Sequence, residues 1–242
     1  SSPAESNKAE AHSLLPPVET ATSDAVISYS TSSARELNDL GKVITIFSPK
    51  GGVGKSTFAV NLAVAMAREL RGNVALLDLS LTFGHVPLLL NLAPRSSLAA
   101  ANPEALRRLD LPENMDHYLV RHPSSGLRVM AGAQKPEEGE LVSAEIVGMA
   151  IQQLRRHFAY LLIDTSPHFT DPVLAALEAS GKVFVIISPE MSLLRDIREC
   201  QRIWDNVVRV SRDRVFYVMN NIFPFKTLSR EQLEDALQKK LF

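Results

Sequence analysis

Cysteine, aromatic residues and long apolar runs are all scarce in this chain of 242 residues. The single cysteine, Cys200, cannot close an intrachain disulfide or build a cysteine-rich zinc site, which favours a reducing, cytoplasmic setting. A formal net charge of −1 excludes a general attraction to nucleic acid or anionic lipid. No apolar run reaches the roughly 18 residues of a membrane span. Since 45% of the residues are hydrophobic, neither a disordered nor a fibrous chain is expected.

The length allows one large α/β domain or two small ones. Residues 1–38 are rich in serine, threonine, proline and alanine and keep no helical or strand period, so they predict a flexible linker or tail. A chain that opens on Ser1 without a methionine is typical of a fragment or a processed product, and we expect that another segment preceded it. Residues 39–242 are predicted to form the folded domain.

Short β-rich apolar runs alternate with helical segments from Gly41 onward. The predicted strands are residues 42–48, 73–78, 127–131, 160–164, 182–188 and 214–220. The predicted helices are residues 55–70, 144–158 after a Ser143 cap, 170–180 with a Thr170 cap, 190–210 and 229–240 with a Ser229 cap. Strands that alternate with helices predict an α/β fold with a mostly parallel sheet covered on both faces.

Three of the eleven glycines lie close together between the first predicted strand and the first predicted helix. Bare glycine backbone lets successive N–H groups form an anion nest, and the helix N-terminus adds partial positive charge there. Lys55 can reach the β- and γ-phosphates, and the Ser56 hydroxyl can ligate Mg²⁺. A glycine-rich turn that binds nothing is the alternative, which the Lys-Ser pair and the flanking strand and helix disfavour. The predicted phosphate-binding residues are Lys50, Gly51, Gly52, Val53, Gly54, Lys55, Ser56 and Thr57.

The loop departs from the plain pattern G-x-x-x-x-G-K-[ST], because Pro49 stands at the first glycine and an additional lysine, Lys50, follows it. With the pattern KGGxGK[ST], the chain resembles the deviant Walker A family of MinD- and ParA-type ATPases over nearly everything from Gly41 onward. The resemblance implies a doubly wound P-loop NTPase sheet that binds ATP or ADP with Mg²⁺.

The resemblance also implies a nucleotide-sandwich homodimer with two catalytic lysines, Lys50 and Lys55. In this family the lysine that matches Lys50 commonly reaches phosphates across the dimer. A second cation there can neutralise charge that develops on the transferred phosphoryl group. The alternative for Lys50 is a solvated loop lysine.

Two aspartates end predicted strands at the edge where ligands of open α/β sheets collect. Asp164 resembles the family's Walker B aspartate, which holds Mg²⁺ through water; a strand-end aspartate that caps the next helix is the alternative. Asp78 resembles the first aspartate of switch I, which implies a catalytic role and a water-mediated contact to Mg²⁺. Many members carry a second aspartate that orients the attacking water, and this chain has Ser80 there. Because a hydroxyl cannot accept that proton at neutral pH, slow or absent hydrolysis is an open interpretation.

Asn220 ends the last predicted strand and resembles the family's asparagine that contacts the adenine edge. An amide with a donor and an acceptor suits that task, while an asparagine that turns the loop before Pro224 is the alternative. On the 190–210 helix, Cys200 belongs to an apolar stripe and is predicted to be core rather than a nucleophile. The same helix carries an arginine face, interpreted as solvated with a nucleic-acid or partner patch as the alternative: Arg195, Arg198, Arg202 and Arg209.

Loop segments 83–101 and 122–145 resemble the CpaE/TadZ branch of the family, whose members take part in Flp/Tad pilus localisation. The leading hypothesis is an ATP-binding, dimerising switch ATPase that positions a cell-envelope machine. Its expected partners are a second copy and pilus or secretion machinery, which could recruit it to the membrane or a cell pole. Family members begin another strand where this chain has Leu241 and Phe242, so we expect the domain to stop before its last strand.

Two other hypotheses stay open. A nucleotide-gated scaffold with little hydrolysis is motivated by Ser80. A ParA-like DNA-partitioning ATPase is motivated by the arginine face and is less favoured, because the net charge is near zero. Five of the six histidines show no metal-ligand spacing and are interpreted as surface or packing residues: His85, His117, His122, His157 and His168.

Overall fold

The computed structural model describes residues 40–82, 84–205, 210–221 and 228–242. The predicted linker at residues 1–38 lies outside these ranges, so its conformation stays a prediction. The same holds for Arg209 of the predicted arginine face and for the turn before Pro224.

In the described part of the chain, seven strands form one sheet. They are β1 (Lys42–Phe47), β2 (Val74–Leu79), β3 (Val120–Arg121), β4 (Arg128–Met130), β5 (Tyr160–Thr165), β6 (Lys182–Ile187) and β7 (Val215–Met219). Their order is β3-β4-β2-β5-β1-β6-β7, and every neighbouring pair is parallel except β3 with β4. The predicted α/β fold with a mostly parallel sheet is therefore confirmed.

The strands form where apolar residues follow one another without polar alternation, because both faces of the sheet are covered. Successive residues of β2 point to opposite faces of the sheet: Leu77 packs in one apolar cluster and Leu76 in another. All six predicted strands are present, with ends that differ by at most one residue. The two-residue edge strand β3 was not predicted, because so short a segment shows no period.

Helices cover the sheet on both faces. The described helices are α1 (Lys55–Glu69), α2 (Val86–Leu89), α3 (Pro103–Arg107), α4 (Pro112–Tyr118), α5 (Pro136–Gly139), α6 (Ala144–His157), α7 (Asp171–Ala179), α8 (Met191–Ile203) and α9 (Arg230–Leu237). Helix α1 packs on one face through Ala59 and Ala63, and α6 packs on the other through Val147 and Leu154. The sequence predicted α1 and α6–α9 but not α2–α5, which are too short to show a helical period.

Two of the three predicted serine and threonine caps make the expected side-chain hydrogen bond. The Ser143 hydroxyl accepts from the Ile146 N–H at 3.3 Å, and Ser229 forms a capping box with Gln232. Thr170 precedes α7 as predicted, yet its side chain makes no cap hydrogen bond. Helix α7 is stabilised instead by burial, since Val173 and Leu177 are fully buried.

Helix α8 is shorter than the predicted span of residues 190–210. Its α-helical part ends at Ile203, and Trp204 and Asp205 continue in a wider π-helical turn. Val210 already lies in the connection to β7, so the predicted end was wrong. The apolar spacing in the sequence shows which residues are buried, but it does not show where the α-helix ends. Trp204 is buried in the same core as α8 although it lies beyond the last residue of that helix.

Candidate functional site

The carboxyl ends of β1, β2 and β5 bring the predicted phosphate loop and both predicted aspartates to one edge of the sheet. Asp164 in β5 is in register with Ile46 of β1 on one side and with Asp78 of β2 on the other. The loop leaves β1 after Phe47 and enters α1 at Lys55. Parallel pairing therefore places residues that are far apart in the chain around one point, as expected for a binding edge in an open α/β sheet.

The phosphate loop adopts a backbone that depends on its glycines. Gly52 and Gly54 have φ values of 77° and 90°, a left-handed region that other residues seldom occupy. A Cβ atom added at Gly51 or Gly52 would meet nothing within 4 Å, so the space beside this backbone is open. Val53 between them is 1% exposed and anchors the loop in the apolar core. The result is an open backbone cradle at the N-terminus of α1 that fits a phosphate group.

Lys55 lies at the first position of α1 and is largely buried. Its Nζ donates to the Lys50 carbonyl oxygen at 3.2 Å. Burial lowers the pKa of Lys55, and the charge of Asp164 opposes that change. A buried ammonium group whose recorded hydrogen bond goes to a backbone carbonyl can exchange that bond for a more strongly charged acceptor such as phosphate.

Asp164 is the most exceptional group at this edge. It is fully buried, and among the described residues neither of its carboxylate oxygens makes a hydrogen bond of full geometry. Burial raises its pKa to about 6, although the nearby Ser56 hydroxyl, the charges of Lys55 and His85 and the Thr165 N–H act in the opposite direction. A buried carboxylate that is so weakly satisfied is costly, so it fits a site for a cation or for water bound to one. The Ser56 hydroxyl and Asp164 are the residues that would hold Mg²⁺.

Asp78 holds the backbone segment that follows β2. Its Oδ1 accepts from the Ser80 N–H at 2.9 Å, and its Oδ2 accepts from the Val86 N–H at 3.2 Å. Burial, and then the charge of Asp164, raise the pKa of Asp78 to about 7. The observed role of Asp78 is to shape the 80–86 segment, and its catalytic and metal-binding roles stay predictions. Ser80 enters this arrangement through its backbone.

Lys50 forms an ion pair with Glu190, the residue that precedes α8. The same ammonium group lies 3.4 Å from the Ser192 hydroxyl, and the Ser188 hydroxyl donates to the other Glu190 oxygen at 3.0 Å. Contact of Lys50 with phosphates across a dimer concerns a nucleotide-bound dimer and stays a prediction. The sequence analysis missed Glu190 and Ser188, although their position at the end of a predicted strand already placed them at this edge.

Asn220 lies just past β7, and its amide Nδ2 donates to the Val53 carbonyl oxygen of the phosphate loop at 2.9 Å. Its backbone N–H donates to Ile187 at the end of β6. The structure thus brings Asn220 to the predicted site, but in contact with the loop. Its predicted contact with an adenine base stays a prediction.

The remaining sequence candidates are a buried cysteine and exposed arginines of α8. Cys200 is buried and burial raises its pKa to about 12, in agreement with a core residue. On α8, the described members of the arginine face, Arg195, Arg198 and Arg202, are exposed. Among the described residues, no group of three His, Cys, Asp or Glu side chains could hold a metal ion. No helix in the described ranges is long and apolar enough to cross a membrane.

A parallel α/β sheet, a glycine-rich loop between β1 and α1, and a buried aspartate beside that loop's lysine define the class of P-loop nucleoside triphosphatases. A family model described as "ParA: NUBPL iron-transfer P-loop NTPase" matches residues 39–225. The chain belongs to this ParA family of P-loop NTPases.

Individual relatives support the same assignment. Septum site-determining protein MinD of Synechocystis is 29% identical over 157 residues, which cover 65% of this chain and 57% of the relative. The chain thus spans less than two thirds of that relative's length. A ParA family ATPase from Chlorobium tepidum superposes with a TM-score of 0.75 at 20% identity, covering 84% of this chain and 83% of the other. MinD of Pyrococcus horikoshii complexed with Mg-ADP superposes with a TM-score of 0.65 at 20% identity, covering 84% and 79%.

Proposed function

We propose that this chain is an ATP-binding, Mg²⁺-dependent switch ATPase that dimerises with nucleotide bound. The observation that carries the proposal is the fully buried Asp164 carboxylate, whose oxygens make no hydrogen bond of full geometry among the described residues, beside Lys55, Ser56 and the open glycine-rich loop. A cation would satisfy this carboxylate, and an anion would give the Lys55 ammonium group a stronger acceptor than a backbone carbonyl.

Each residue has a definite task in this proposal. The backbone N–H groups of the loop bind the phosphates, and Lys55 leaves the Lys50 carbonyl to reach them. Asp164 and Ser56 are the residues that would hold Mg²⁺. The ion would neutralise charge on the bound phosphates. Asp78 keeps the 80–86 segment in place through the Ser80 and Val86 N–H groups.

A role in positioning other machinery is the cellular part of the proposal. Support comes from the Synechocystis relative, which is a septum site-determining protein. Segments 83–101 and 122–145 resemble the CpaE/TadZ branch, so we propose Flp/Tad pilus assembly as the process and pilus or secretion proteins as partners. Transfer of iron, named in the family description, receives no support from the single buried cysteine of this chain.

The proposal is tested by the affinity for ATP and by the oligomeric state with and without Mg-ATP. We expect micromolar to millimolar ATP binding and a dimer that appears with Mg-ATP. The variant Lys55→Ala is the matched control and is expected to lose about tenfold or more in ATP affinity, since a charge-assisted phosphate contact disappears. A wild-type chain that binds no nucleotide at millimolar concentration contradicts the proposal.

A second candidate is a nucleotide-gated scaffold without useful turnover. Ser80 favours it, because no carboxylate stands at that position and the recorded contact of Ser80 is through its backbone N–H. Single-turnover release of phosphate from the dimer separates the two candidates. Turnover well above background that Lys55→Ala abolishes excludes the scaffold.

A third candidate is ATP-dependent binding of DNA, as in partitioning ATPases. The exposed residues Arg195 and Arg198 on α8 favour it. Retention of DNA that requires ATP and falls steeply with salt would support it, since phosphate contacts release counterions. Absence of retention with ATP at low salt excludes it.

A further inference from the structure

Asn220 contacts the phosphate loop at the peptide group between its two left-handed glycines. The amide Nδ2 of Asn220 donates to the Val53 carbonyl oxygen at 2.9 Å, and Val53 lies between Gly52 and Gly54. Val53 is 1% exposed, so its carbonyl has little access to water and depends on a protein donor. The contact joins residues separated by 167 positions in the chain.

This hydrogen bond has a consequence for the opposite side of the same peptide group. In a trans peptide the carbonyl and the N–H point in opposite directions. A Val53 carbonyl that points to Asn220 therefore turns the Gly54 N–H away from Asn220 and into the loop. On one side of this peptide Gly54 has a φ of 90°, which only glycine adopts readily, so the Gly54 side leaves the peptide orientation free and a hydrogen bond to its carbonyl helps to fix it.

The backbone of Asn220 is fixed by the sheet, so its side chain can restrain the 53–54 peptide. Its backbone N–H donates to the Ile187 carbonyl at 2.8 Å, which continues the ladder between β7 and β6. Strand β6 pairs in turn with β1, the strand that leads into the loop. The amide is therefore mounted on the same rigid sheet as the loop that it contacts.

We propose that Asn220 is a positioning residue for phosphate binding, which orients the 53–54 peptide so that the Gly54 N–H faces the bound anion. The inference rests on the proposed function, since the anion is the phosphate chain of the nucleotide. In this role Asn220 acts on phosphate binding and does not need to contact the adenine base.

The test uses a ligand that has phosphates and no base. Affinity for magnesium tripolyphosphate and for Mg-ATP is measured by calorimetry on the whole chain and on Asn220→Ala, Asn220→Asp and Asn221→Ala. Asn220→Ala is expected to weaken both ligands by a similar factor of about five, because one neutral hydrogen bond is lost. Asn220→Asp keeps the shape but sets a carboxylate against a carbonyl, so a loss of about tenfold or more is expected. Asn221→Ala removes the exposed neighbouring amide and is expected to match the wild type.

The possible results are distinct. If the Asn220 variants lose ATP affinity and keep wild-type affinity for tripolyphosphate, Asn220 acts on the base and the proposal is overturned. Unchanged affinity for both ligands overturns it as well. A wild type that binds tripolyphosphate but not ATP contradicts the proposed function and leaves this inference standing if the variants still differ. A wild type that binds neither ligand overturns both.

A measurement without ligand guards against loss of folding. Thermal unfolding is followed through Trp204, the single tryptophan, and the isosteric Asn220→Asp carries the test if Asn220→Ala does not fold. Hydrogen exchange of residues 51–57 is expected to accelerate in both Asn220 variants and not in Asn221→Ala. Unchanged exchange in a folded Asn220→Asp contradicts the proposal.

Discussion

At the scale of single residues, Asp78 and Asp164 place two buried carboxyl groups in register on adjacent parallel strands. Burial raises the pKa of Asp78 to about 7 and that of Asp164 to about 6. The folded state therefore binds protons at pH values where the unfolded chain, with ordinary aspartates, has released them. The free energy of unfolding should decrease as the pH rises from about 4 towards 7, since the charged forms are disfavoured only in the fold.

Asp164→Asn tests this pH dependence. Between pH 5.5 and 7.5 we expect ionisation of Asp78 and Asp164 to lower the free energy of unfolding of the wild type by about 2 kcal/mol. Over the same range the free energy of unfolding of Asp164→Asn should fall by about 1 kcal/mol less. Urea unfolding followed by Trp204 fluorescence measures both. Asp110→Asn, which removes an exposed carboxyl group, is the control and should keep the wild-type slope. If the free energy of unfolding of Asp164→Asn changes with pH as steeply as that of the wild type, the raised pKa of Asp164 is contradicted.

At the scale of elements, the connection from β4 to α5 and the end of α5 lie directly on the backbone that follows β2. A Cβ atom at Gly132 would come within 2.2 Å of the Asp78 carbonyl oxygen, and one at Gly139 within 2.4 Å of the Leu81 carbonyl oxygen. Glycine is required at these positions because two backbones meet there. The segment that Asp78 shapes is thus held from a second side by a connection that the sequence analysis treated as a loop.

Gly132→Ala tests this close approach. Because the added methyl group meets backbone, we expect a loss of about 2 kcal/mol or more in the free energy of unfolding, together with weaker ATP binding. The matched control is Gly148→Ala in α6, where a Cβ meets nothing within 4 Å. That exchange should stabilise the protein by about 0.5–1 kcal/mol. Urea unfolding distinguishes them, and a neutral Gly132→Ala would refute the predicted clash.

At the scale of the whole molecule, the proposed dimer requires a change in the surroundings of Lys50. Its ammonium group is paired with Glu190 within the chain, so it must leave that partner to reach phosphates bound by a second copy. In the proposed function, nucleotide binding within one copy depends on Lys55 and the loop backbone, and Lys50 contacts Lys55 through its backbone carbonyl. Assembly and nucleotide binding should therefore respond differently to loss of the Lys50 side chain.

Lys50→Ala is expected to bind ATP within about fivefold of the wild type and to stay monomeric with Mg-ATP, because the cation that spans the interface is gone. Sedimentation with and without Mg-ATP measures the oligomeric state, and calorimetry measures the affinity. Lys135→Ala, which removes an exposed lysine, should still dimerise. A dimer of Lys50→Ala with wild-type stability would contradict the sandwich arrangement.

Prediction from the sequence succeeded where the signal is local. The phosphate loop, α1 and the strands follow one another within short stretches of the chain, and their apolar runs are long enough to recognise. It failed for α2–α5, where helices of four to seven residues with a proline at their first or second position are too short to show a period. It also failed for the end of α8, where burial continued through Trp204 after the α-helix had ended. The alternation of elements was sufficient for the fold class, although it could not supply the strand order.

The sequence by itself determined that this chain would place a glycine cradle, a lysine and two strand-end aspartates at one sheet edge, because parallel strands share the direction of their carboxyl ends. Only the tertiary structure decided which distant side chains complete that edge. Glu190 meets Lys50 across 140 positions and Asn220 meets Val53 across 167. Those contacts exist because β6 pairs with β1 and β7 pairs with β6, and the spacing of residues along the chain does not reveal this strand order.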